Sequence, residues 1–158
     1  MRQPVRPAAV AARYLGAAGL LGVGLDHLEQ FSAEHYSAIP TIGKLFALSF
    51  VSAALIAGAL AAPVQRLPGR AGRTALPLLS AGGIGVAAGS LAGLLLSEST
   101  GLFGFMEVGY RPAIVLSIAL ELATIVLLTV HALMADRGFA DRARPSGPRI
   151  GPPRGAQE

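Results

Sequence analysis

Apolar residues run in four long blocks along the chain, and the charged positions gather between and beyond them. The second block is the most sharply bounded. Pro40 opens it and Pro63 closes it, so the pattern predicts a helix over about 41–62, with one proline where a helix tolerates it and another where a helix stops. The third block predicts a helix over about 74–97 and the fourth a helix over about 112–135. Each is close to the roughly 20 residues that cross a hydrocarbon core about 30 Å thick. In the first block only 12 uncharged residues separate Arg13 from Asp26. The helix is therefore read over about 8–28, with Arg13 turning its guanidinium back to the interface. A cleaved signal peptide is the rival for this block, but no A-x-A-like cleavage site follows its apolar core.

Composition agrees with the pattern. In 158 residues, 53% are hydrophobic and 14% charged, and the mean hydropathy is +0.57, which is too apolar for a soluble globule of this size. The expected fold is all-α: a polytopic membrane four-helix bundle over residues 1–135. A basic tail, 136–158, follows, with four prolines and four glycines, and is read as disordered.

Charge then orients the bundle. Arg2, Arg6, Arg13, Arg66, Arg70, Arg73, Arg137, Arg142, Arg144, Arg149 and Arg154 fall on one side of the four spans, and only Lys44 and Arg111 on the other. Eleven against two is a strong positive-inside bias, which puts both termini in the cytoplasm of a cell membrane. The net charge of +4 accordingly reports topology and contact with anionic lipid, and nucleic acid is not expected as a partner. With no cysteine in the chain, disulfides and thiolate metal sites are excluded.

Two groups of residues could carry chemistry. On the fourth span Ser117, Glu121, Thr124 and His131 share one stripe about 80° wide at 100° per residue. Glu121 stands nine positions after Pro112, about 13 Å into the membrane. A charged carboxylate at that depth is expensive, so the usual outcomes are a proton, a partner or a water-lined path. Ser49 and Ser52 of the second span and Ser90 of the third fall at the same depth and are candidate partners. A neutral carboxyl holding the bundle in register is one reading. A proton or cation relay, or a contact for a polar substrate group, is the other. His131, about 15 Å further along the helix, is read as interfacial.

The second group lies between the first two spans, where Asp26, His27, Glu29, Glu34 and His35 crowd together, and Glu98, Glu107 and Arg111 from the other outer connection could join them. Imidazoles and carboxylates are ligand types for a divalent ion. No recognised spacing such as H-E-x-x-H is present, and no facing histidine pair suggests haem. The expectation is a solvated acidic loop, with no metal and no cofactor. The two outer segments, AEHYSAIP and MEVGYRP, share the order Glu, Tyr, Pro, which a parallel repeat would produce as readily as coincidence.

Small residues mark the packing faces. Gly85, Gly89 and Gly93, with Gly82 on the same side, form a GxxxGxxxG ridge, and the second span offers Ala53, Ala57 and Ala61 at the same spacing. Packing within the bundle is the plainer reading and homodimerisation the alternative. No nucleophile elbow or phosphate loop is present.

The segments LDHLEQ (25–30), HYSAIPTIGKLF (35–46) and LFGFMEVGYRPAIVL (102–116) together resemble small, uncharacterised four-span integral membrane proteins of high-GC actinobacterial type. In these a polar loop with Asp-His and Tyr leads through IPTIG-LF into the second span. The resemblance covers about residues 14–135. It implies the same topology and no known activity, and makes no residue catalytic. The leading expectation is a non-catalytic accessory or interaction protein, whose partners beyond the bilayer would be a second copy or another membrane protein. The alternatives are a proton- or cation-linked transporter using Glu121, and an extracytoplasmic metal or redox protein using His27 and His35.

Overall fold

The computed structural model describes residues 5–33, 35–104, 106 and 112–143. Four helices make up nearly all of it: α1 (Val5–Ser32), α2 (Pro40–Ala61), α3 (Gly69–Ser99) and α4 (Pro112–Ala143). Single 3-10 turns at Tyr36–Ala38 and Val64–Arg66 join the first three. Among the described residues there is no strand. All four helices are long and apolar enough to cross a membrane, over Pro7–Ser32, Thr41–Ala61, Gly69–Ser99 and Pro112–Ala135. That is the arrangement of a multi-pass membrane protein.

The helices exceed their expected bounds where nothing in the local sequence stops them. α1 continues four residues past the expected end at 28, so Asp26 to Gln30 belong to a helix. α4 runs on through 136–143, the first eight residues of the expected tail, because no proline intervenes before Pro145. Residues 144–158 of that tail lie outside the described residues. At α2 the expectation about proline is met in detail: Pro40 is the first helical residue, where the N–H it lacks would have had no partner.

The helices form a ring in chain order. α1 packs extensively on α4 and α2 but barely on α3, and the α2–α3 seam is the thinnest of the neighbouring contacts. Ala17, Leu20, Ala53, Ala57, Leu60 and Leu128 close the core between α1, α2 and α4. Small residues set these distances, but not the ones the sequence singles out. A Cβ added at Gly19 of α1 would stand 2.7 Å from Thr124 Oγ1, one at Gly24 would stand 3.1 Å from Ala53 Cβ, and one at Gly83 of α3 would stand 2.7 Å from Leu128 Cδ1. At Gly85 and Gly89 it would meet nothing within 4 Å. Within the bundle Gly85 and Gly89 are therefore not a helix-packing face: Ala53 and Ala57 turn instead toward α1, and of the ridge only its ends are covered, where a Cβ at Gly82 would stand 3.4 Å from Ile56 and one at Gly93 3.9 Å from Leu102.

Two polar clasps close the end of the bundle that holds the α2–α3 connection. Arg13 is buried there rather than turned out to the interface. Its Nη1 donates to Gln65 Oε1 (3.1 Å) and its Nη2 to the Ala62 carbonyl (3.2 Å), so the charge meets the negative end of α2. His131 Nδ1 donates to the Ala9 carbonyl (3.0 Å), tying α4 to α1.

Candidate functional site

The register of α1 turns His27 inward. Arg13, Ala17, Leu20, Val23, His27 and Gln30 are all buried, and their three-and-four spacing is that of one helix face. His27 thus sits in the bundle on the same stripe as Leu20 and Val23, not in a loop with His35. His27 Nδ1 lies 2.8 Å from the Val23 carbonyl. A carbonyl can only accept, so Nδ1 carries the hydrogen. In the neutral ring Nε2 then carries a lone pair, and Ser90 Oγ of α3, 2.8 Å away, is placed to donate to it.

On α4 the polar stripe predicted from spacing is buried throughout: Ser117, Glu121, Thr124 and His131 all face inward, with Ile114 and Leu128 in register. Glu121 has 0% exposure, and neither carboxyl oxygen has a hydrogen-bond partner. The Ser90 hydroxyl stands between the Glu121 carboxyl and His27 Nε2, 2.8 Å from the latter, and its one hydrogen serves one of them at a time. The buried Thr124 hydroxyl is also unpartnered.

These residues meet at a cavity of about 330 Å3, within the range of small-molecule sites. All four helices line it: His27 and Gln30 from α1, Ser49 and Ser52 from α2, Gly85, Gly89, Ser90 and Gly93 from α3, and Ser117 and Glu121 from α4. Its other walls are apolar, with Ile42, Leu45, Phe46 and Leu48 prominent. The cavity borders Glu121, but the carboxyl has no exposed surface, so a cavity occupant reaches it only by shifting a neighbouring side chain. Leu48, 62% exposed, and the exposed glycines 85 and 89 stand on either side of the thin α2–α3 seam, so the cavity opens sideways there. At the end of the bundle that holds the α1–α2 connection Leu102 lines it and an aromatic run covers it, with Phe46 5.1 Å from the His27 ring and 5.2 Å from Tyr36. Gly43 allows this roof to settle, because a Cβ there would stand 2.9 Å from the Tyr36 carbonyl oxygen.

The outer cluster expected from sequence is dispersed. Asp26 accepts from Gln30 Nε2 (3.2 Å) on the same helix. His35 is exposed, in the left-handed conformation that starts the 3-10 turn. Glu98 has one buried carboxyl oxygen without a partner in the last turn of α3. Glu34, Glu107 and Arg111 lie outside the described residues. Among the described residues no group of three or more His, Asp or Glu is placed to hold a metal ion.

A smaller cavity of about 130 Å3 occupies the opposite end of the bundle, lined by Ser80 of α3 and His131 of α4. Leu20, Leu60 and Leu128, each with 0% exposure, fill the bundle core.

The fold and cavity define the class: a multi-pass helical membrane protein with a largely apolar cavity in its bundle that a few polar side chains border. Comparison with protein families finds no match for the chain. No curated protein and no solved structure matches it either.

Proposed function

We propose that this is a non-catalytic binding protein of the cell membrane, an accessory protein that holds a small amphipathic molecule within the bilayer. The single observation that carries this reading is the lateral cavity, in which apolar walls surround Glu121, His27 and Ser90. Apolar walls with a few convergent polar groups are the composition of ligand pockets, whereas a bundle that needed only to pack would fill the space with side chains. The distribution of basic residues supports a topology with both termini in the cytoplasm, and with it a cavity in the outer half of the membrane.

Filling the cavity tests the reading. Gly89→Leu places a side chain into open space and leaves the bundle intact. Native mass spectrometry of the full chain from membrane nanodiscs is expected to show a co-purifying small molecule that the variant loses. Equal occupancy in the two proteins would reject the cavity as its site.

A second reading is favoured by the smaller cavity beyond the leucine plug. Two pockets on either side of a dry core, with Glu121 bordering one and His131 lining the other, suit a carrier that opens to each side in turn. For this reading Glu121→Gln abolishes proton-coupled flux in proteoliposomes, and undiminished flux in the variant removes it.

A further inference from the structure

We infer that the molecule held in the larger cavity is a lipophilic amine, bound as its ammonium ion with the charged head on Glu121 and the apolar body toward the α2–α3 opening. The inference rests on the binding reading above and names its ligand class.

The polar end of the cavity offers acceptors. Both Glu121 oxygens are buried and unpartnered. His27 Nε2 already receives the Ser90 hydrogen, because Nδ1–H is committed to the Val23 carbonyl. With its hydrogen directed to His27 Nε2, Ser90 Oγ offers a lone pair beside the carboxyl. A donor that enters as a lining side chain shifts aside, uncovering the buried Glu121, satisfies these oxygens together. Two carboxylate oxygens and one hydroxyl oxygen equal the three N–H donors of a primary ammonium, and a charge-assisted bond to a carboxylate is the strongest kind available.

The charge argument is independent of hydrogen-bond counting. Among the described residues no Lys or Arg lines the cavity. The titratable groups facing Glu121 are His27, and Asp26 on the same turn of α1. α2 and α3 contribute only hydroxyls and glycine backbone among their polar lining. A buried carboxylate without a cation is costly, and leaving it so in the ligand-bound state would oppose binding. A cationic ligand supplies what the protein omits. The body of the ligand is apolar because the opening is bordered by Leu45 and Leu48 and faces lipid.

Proton and ammonium then compete for one carboxylate. Protonation of Glu121 removes the carboxylate and weakens amine binding, whereas a neutral ligand of the same shape is indifferent to it. No bond is made or broken.

Three probes with one naphthalene body separate the possibilities: 1-naphthylmethylamine, 1-naphthalenemethanol and 1-naphthoic acid. Equilibrium dialysis against the full chain in zwitterionic nanodiscs, with empty nanodiscs as background, gives Kd for each at pH 8. The expected result is an amine affinity at least tenfold above that of the alcohol, with this preference lost in Glu121→Gln. An alcohol or acid that binds as tightly as the amine overturns the ligand class while leaving the binding reading in place. If none of the three binds, or if Gly89→Leu leaves all affinities unchanged, the binding reading falls and this inference with it.

Discussion

Glu121 distinguishes two kinds of buried polar residue in this bundle. Arg13 and His131 are buried too, yet each reaches a backbone carbonyl and clasps two parts of the chain. Glu121 clasps nothing within the protein. A group that stabilises the fold should be missed when it is removed, whereas one retained for a ligand should not be. Glu121→Met is therefore expected to raise thermal stability, by about 1–3 kcal/mol, since it replaces an unsatisfied carboxyl with an apolar chain of similar size. Thermal unfolding in detergent checks this, and a marked loss of stability would make Glu121 a structural residue. The depth of Glu121 was legible from its distance to Pro112, and its company of Ser49, Ser52 and Ser90 from depth alone. His27 was not read as part of that company, because Asp26 and Glu29 made the whole segment look wet. The signal was present in the spacing Leu20, Val23, His27, Gln30, which continues the apolar stripe through the charges.

At the scale of elements, the four blocks of hydropathy located all four helices, and the prolines fixed the start of α2. Their ends were less legible, since charge marks the limit of the hydrocarbon and not the limit of hydrogen bonding; helices extend past the membrane until capped or broken. Glycine spacing misled for a different reason. A GxxxGxxxG ridge states that backbone is uncovered, and both a close helix and a vacant pocket satisfy it. Gly83 and Gly85 separate the two cases. Helix propensity alone favours alanine at both by roughly 1 kcal/mol. At Gly85 the new methyl meets nothing within 4 Å, so Gly85→Ala is expected to be neutral or stabilising. At Gly83 it collides with Leu128 and comes within 3.1 Å of Leu20, two side chains with no room to retreat. Gly83→Ala is expected to lose about 1–3 kcal/mol through overpacking. Paired denaturation curves would decide the assignment, and equal effects at the two positions would refute it.

For the whole molecule, orientation follows from charge and not from packing, because a four-helix ring is the same bundle whichever way it faces. The test needs no background mutations, since the chain has no cysteine. Ser37→Cys is expected to react with an impermeant maleimide applied to intact cells, and Ser146→Cys only after lysis. The opposite pattern would invert the molecule and place the larger cavity in the inner half of the membrane. That cavity could not be read from sequence, because it arises from the thin α2–α3 seam, and a one-dimensional pattern records which face is apolar without recording how tightly two faces meet.

The broad contact between α1 and α4 carries a consequence for how the protein is made. α1 leaves the ribosome ahead of α2, α3 and α4 and finds its main partner in α4, so its face with Gly16, Gly19 and the clasp residue Ala9 waits in lipid until residues beyond 112 have been inserted. α1 and α2 can pair early as a hairpin, held by Arg13 on the Ala62 carbonyl, but the ring closes only with the final helix. A chain that stops short of α4 lacks Glu121 and also leaves the glycine face of α1 uncovered, so completeness of synthesis and completeness of the pocket are checked by the same contact.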